Sequence, residues 1–241
     1  MNPTLRLFAF SLLPVAVLIG AAAAGSLRAP GPRLRSAVLH FAGGVIFAVV
    51  AVELLPDVVR ARALLPTAIG FAIGTALMLA LRAASRRFER RADAATAVLP
   101  LGLLAAVGVD LLIDGLMIGI GFAAGARQGV LLAIALAFEM LALGLALAAT
   151  LAKRGAARGK ILVCIAALAL LLIVGAVAGG APLAGASGRA LAGVLAFGSA
   201  ALLFLVTEEL LGEAHETQDS AALTAAFFLG FLVQLIIDMA H

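Results

Sequence analysis

"VDLLIDGLMIGIGF" occupies residues 109–122 and is apolar throughout except at Asp110 and Asp114. The two acids are spaced i and i+4. On a helix they share one face, about 6 Å apart along the axis. An ionisable side chain near the centre of a bilayer costs at least ~2.5–3.5 kcal/mol on insertion scales, so such residues face a protein interior or a watery path. The question is therefore whether this stretch lies in a membrane, and what the acids meet there.

Composition answers the first part. Of 241 residues, 64% are hydrophobic and only 12% are charged, too little polar surface for a soluble domain of this length. Apolar runs long enough to cross hydrocarbon as helices fall at about 5–27, 36–57, 65–84, 98–125, 129–152, 161–181, 190–212 and 221–240. The joints carry breakers or charges, as in "RAPGPRLR" and "KRGAARGK". The longest, "SRRFERRADAATA" over 85–97, reads as a basic loop. The expectation is an all-α polytopic membrane protein of eight transmembrane helices in a single domain over 1–241, its stable partners membrane lipid and, in principle, a second copy as a homodimer.

Charge gives the direction. Of 17 Lys and Arg, 12 fall at or beside the joints after spans 1, 3, 5 and 7, against 5 on the other side. The positive-inside rule places both termini outside the cytoplasm. Basic residues confined to such joints are membrane-topology signals and imply no nucleic-acid partner. Arg6 alone precedes the first apolar run, whereas Arg28, Arg33 and Arg35 follow it. That bias is expected of an uncleaved span rather than a signal peptide. Cys164 is the single cysteine, so no intrachain disulfide forms.

A third acid, Glu139, lies in "LAFEMLALG" of span 5. The turn between spans 4 and 5 centres near 126–127, about 12 residues from Asp114 and about 12 from Glu139, hence roughly 18 Å from each. Equal depth on adjacent antiparallel helices brings Asp110, Asp114 and Glu139 together. Three carboxylates in low dielectric repel one another strongly. Protons, a basic side chain or a metal cation must relieve them, and no Lys or Arg lies deep in any span. Oxygen ligands suit hard cations. Met117 and Met140 stand nearby as potential soft ligands, with packing their default role.

Spans 2 and 7 end alike, in "VELLPD" (52–57) and "EELLGE" (208–213). Glu53 aligns with Glu209 and Asp57 with Glu213, on spans that cross in opposite directions. The pattern is that of an inverted repeat, helices 1–3 against 6–8, around a central pair of helices 4 and 5. Glu53 and Asp57 are expected at the outer mouth, and Glu208, Glu209 and Glu213 at the inner one. His40, near the inner end of span 2, is a further candidate for a mouth or gate, although it and His215 are expected at the surface or the interface before any ligand role. Gly115 follows Asp114 directly and leaves room for a neighbouring backbone at the site.

Eight spans, termini outside and acids on the fourth and fifth spans together resemble the ZIP (Zrt/Irt-like) metal transporters. The resemblance covers essentially the whole chain. Its most specific stretch is "DLLIDG" (110–115), which is similar to the family's fourth-helix pattern His-Asn-x-x-Asp/Glu-Gly. "HFAGGVIFAVVAVELLPD" (40–57) and "FLVTEELLGEAHE" (204–216) add to it. The resemblance implies movement of a divalent metal such as zinc, manganese or iron towards the cytoplasm, with the sequence not distinguishing among them. It implies no organic cofactor. It also places Asp110 at the family's first histidine and Asp114 at the metal-bridging acid. In the fifth helix, only Glu139 survives as a ligand from His-Glu-x-x-His-Glu. Leu111, Phe138, Ala142 and Leu143 stand where the family has ligands, so a single carboxylate site is expected in place of a binuclear one.

Two other readings use the same acids: a proton or monovalent-cation pathway, and a non-transporting membrane sensor or assembly protein. No nucleophile-and-base pair, phosphate-binding glycine loop or zinc-hydrolase motif points to an enzyme. The expected location is the cytoplasmic (inner) membrane of a bacterium.

Overall fold

Hydrocarbon offers the backbone no hydrogen-bond partner, so a chain this apolar must satisfy its amides internally. A computed structural model of the protein describes residues 3–27, 31–92, 99–183, 188–214 and 220–240, and among them every extended element is a helix. Eight are long and apolar enough to cross a membrane. They are α1 (Pro3–Leu27), α2 (Pro32–Ala61), α3 (Leu64–Ala92), α4 (Leu101–Ala124), α5 (Ala126–Lys153), α6 (Arg158–Gly180), α7 (Gly188–Leu210) and α8 (Ala221–Ala240). Eight crossings leave both chain ends on one face of the bundle, termed here the termini face.

The spans lie where hydrophobic length puts them, with two differences. The joint expected as a basic loop over 85–97 is helical through Ala92, as an extension of α3. Arg, Glu and Ala are good helix formers, so the helix continues past the apolar run instead of stopping with it. Helix α2 begins at Pro32, whose missing N–H suits a first helical position, before the apolar run starts.

The eight helices pack in matched pairs. The most extensive contacts are α4 with α6, α1 with α5, α2 with α8, and α3 with α7. Small residues set these crossings. A Cβ on Gly115 would run into the backbone carbonyl of Leu172 on α6, and one on Gly175 into that of Leu112 on α4. Without a hydrophobic drive between helices in lipid, such close approach is what makes packing favourable. Helices α3 and α8 show lipid the most surface, with residues such as Leu65, Ile69, Phe228 and Ile236 exposed.

Two helices widen at equivalent places. Helix α2 makes a π-helical turn at Val50–Leu54, where Leu55 N–H donates to the Val50 carbonyl. Helix α7 does so at Leu205–Leu210, where Leu211 N–H donates to the Val206 carbonyl. Pro56 accounts for the first, because its ring cannot accept the carbonyl of Val52 in a regular turn. No proline marks the second. Glu53 lies in the first widened turn, and Glu208 and Glu209 in the second.

Candidate functional site

Helices α4 and α5 are joined through Gly125 alone. So short a link fixes their register, and the depth argument holds: Asp110, Asp114 and Glu139 each offer a carboxylate oxygen within 4.8 Å of the others. Asp114 is 2% exposed and Glu139 4%. Asp110 is partly exposed to a cavity of about 600 Å³ that Glu139 also lines. Two oxygens held 2.0–2.6 Å from one cation lie at most about 4–5 Å apart. The cluster therefore matches one ion with little rearrangement.

Hydrogen bonding gives a second reason to look for a cation. Oδ2 of Asp114 and Oε2 of Glu139 are buried and accept no hydrogen bond from the described residues. An unsatisfied buried oxygen costs about 1–3 kcal/mol, and more when charged. Among the described residues, none of the three acids forms an ion pair.

Glu209 joins the group. Expected at a mouth, it faces the same cavity and interacts electrostatically with Asp110, Asp114 and Glu139. The cavity runs from these acids to the face opposite the termini, past Leu147, Thr150, Arg35 and Gly212. Arg82 of α3 stands in its wall. It pairs with Glu208, lies 5.9 Å from the centre of the Phe204 ring and is close enough to Glu209 to act on its charge. In the sequence Arg82 is one of the 12 basic residues that signal topology. In the structure it lines the cavity beside Glu208 and Glu209.

On the termini side, buried side chains among the described residues cover the acids. Ile118, Leu132 and Ala135 pack a layer above them with at most 1% exposure. Beyond that layer stand Glu53, in the widened turn of α2, and Asp57, just after it. Arg127 at the α4–α5 turn reaches Glu53 at 3.4 Å and Asp238 of α8 at 2.6 Å. Gln128 donates to Asp57 at 3.2 Å, and Arg60 pairs with Asp57 at 3.0 Å.

His40 differs from expectation. It is 4% exposed, and its Nδ1 lies 2.9 Å from the Ser36 carbonyl. The early start of α2 places His40 two turns inside the helix, which buries it, and it does not line the cavity. The side chain of Glu213 and the whole of His215 lie outside the described residues.

Positions 111, 138, 142 and 143 are apolar in structure as well as in sequence. Phe138 makes an edge-to-face pair with Phe41 at 5.0 Å, Leu111 is fully buried, and Ala142 and Leu143 form cavity wall. Met117 turns its sulfur towards the notch at Gly198 of α7, and Met140 is buried in the core; both roles are packing. No protein-family model matches the chain, and no curated protein matches it in sequence.

Proposed function

We propose that the protein carries a divalent metal cation across a bacterial cytoplasmic membrane, using Asp110, Asp114 and Glu139 as the binding site at mid-depth. The observation that carries this reading is the convergence of three carboxylates within 4.8 Å, with two buried oxygens unbonded and no basic partner among the described residues. Only a positive guest relieves such a group in low dielectric. An all-carboxylate set favours hard ions such as Mn²⁺ over ions that seek imidazole or thiolate. Ligating carboxylates must be deprotonated, so the entering ion displaces any proton held there.

The resemblance to the ZIP transporters supports the same reading, as does the pairwise packing. Exchanging helices 1, 2 and 3 for 6, 7 and 8, and 4 for 5, turns each close pair into another: α1–α5 into α6–α4, and α2–α8 into α7–α3. The widened turns of α2 and α7 correspond under the same exchange. An inverted repeat with this symmetry supplies two related conformations, open to opposite faces. In the proposed orientation the termini face is outside and the cavity opens to the cytoplasm.

The test is metal uptake by proteoliposomes holding the parent or Asp114→Asn. The reading expects uptake by the parent and loss of at least about tenfold in the variant, as for removal of one ligand from a three-ligand site. Equal uptake by both overturns it. Charge movement driven by pH and indifferent to added divalent metal selects the proton or monovalent-cation pathway instead.

A further inference from the structure

We infer that Arg127 is a latch that holds the path to the midplane acids shut on the termini face. The inference rests on the transport reading for its purpose, but its geometry stands apart from it.

Arg127 sits at the tip of the α4–α5 hairpin, and its guanidinium is shared between two other helices. One edge reaches Glu53 in the widened turn of α2, at 3.4 Å. The adjacent Nη2 donates to the Asp238 side chain at 2.6 Å and to the Asp238 carbonyl at 2.7 Å, on α8. Glu53 and Asp238 lie close enough to interact electrostatically with each other. The neighbouring residue repeats the tie, with Gln128 donating to Asp57 of α2. A planar fork bridging two carboxylates fixes both partners in place.

The consequence follows from what the hairpin carries. Its two arms hold Asp110, Asp114 and Glu139, and its tip is tied to the α2–α8 wall. To open the termini face, the hairpin and that wall must separate, and the ties to Glu53, Asp238 and Asp57 must break. Glu53 is buried to about nine-tenths, so its contact with Arg127 is less screened by salt than a surface ion pair. On the opposite face the cavity already reaches the acids. The latch thus belongs to the conformation seen here, shut on one side and accessible from the other.

Thiol accessibility tests this without relying on transport. In a Cys164→Ala background, Ala135→Cys places a thiol one helical turn from Glu139 on the termini side, in the packed layer. Ala146→Cys places one in the wall of the open cavity. A membrane-impermeant thiol reagent is applied to the termini face for the first and to the opposite face for the second. Arg127→Ala should speed labelling at 135 roughly five- to thirtyfold, the population shift expected when a partly buried, multiply bonded contact is removed. Labelling at 146 should stay level or fall. Arg127→Lys, which keeps the charge and loses the fork, should fall between parent and Ala. Should Arg127→Ala not yield folded protein, Glu53→Gln carries the same comparison with little change of shape. An unchanged rate at 135 overturns the latch. Faster labelling at 135 together with equal metal uptake by parent and Asp114→Asn leaves the latch standing and removes the transport reading.

Discussion

Asp114 of α4 and Glu139 of α5 meet at the centre of the bundle, each with one buried oxygen that no group among the described residues satisfies. Each was placed by the turn at Gly125, and neither has an ion-pair partner among the described residues. The pair is an electrostatic debt held within the fold. An ion that binds there should stabilise the folded protein by mass action.

Metal should therefore raise the thermal midpoint of the purified parent in detergent. At one hundred times Kd the gain is about 2.7 kcal/mol. Asp114→Asn should lose that shift while being no less stable than the parent without metal, because a neutral amide replaces a buried carboxylate that has no ion-pair partner among the described residues. A midpoint indifferent to divalent metal in the parent argues against the site.

Ala142→His tests the ion preference. Ala142 lies in the cavity wall, and imidazole suits zinc better than manganese. The variant should shift relative affinity towards zinc by roughly tenfold or more, read by competition between the two ions. Unchanged preference would place residue 142 too far from the ion.

Gly115→Ala should cost stability by about 1–3 kcal/mol, because the added methyl meets the Leu172 carbonyl on α6. Gly20→Ala, with nothing within 4 Å of the new carbon, should stay within about 0.5 kcal/mol of the parent. Thermal unfolding of the two variants side by side makes the comparison, and similar losses would contradict the close α4–α6 crossing.

Arg82→Gln should strengthen cation binding from the cavity side. It removes the positive charge beside Glu208 and Glu209 and leaves the cavity more negative. The expected gain is about two- to fivefold at low salt, shrinking as ionic strength rises. Titration with Mn²⁺ at two salt concentrations reads both the gain and its screening.

A reporter active only outside the cytoplasm, fused after His241, tests the orientation. Activity is expected, since 12 of the 17 Lys and Arg lie on the other side. An inactive reporter with a stable fusion would reverse the proposed direction.

The eight spans were legible in the sequence because hydrocarbon thickness sets a length and the joints break it. The meeting of Asp110, Asp114 and Glu139 was legible too, since helical rise and one short turn fix depth without any knowledge of the other helices. What escaped depended on contacts between elements distant in the chain. The similarity of "VELLPD" and "EELLGE" was visible, but the widened turn beneath each was not, and only Pro56 gave any sign of it. Arg82 and Arg127 read as topology signals because their reach into the structure depends on which helices pack beside them. Glu209 looked like a mouth residue for the same reason. His40 looked superficial because the apolar run begins at about 36, while the helix begins at Pro32.

Gly125 is the whole connection between α4 and α5. With so little slack, neither arm can slide lengthwise past its neighbour by much more than the rise of a residue, about 1.5 Å. Whatever Asp114 and Glu139 grip together must then rise or sink with both, like an object held in tongs.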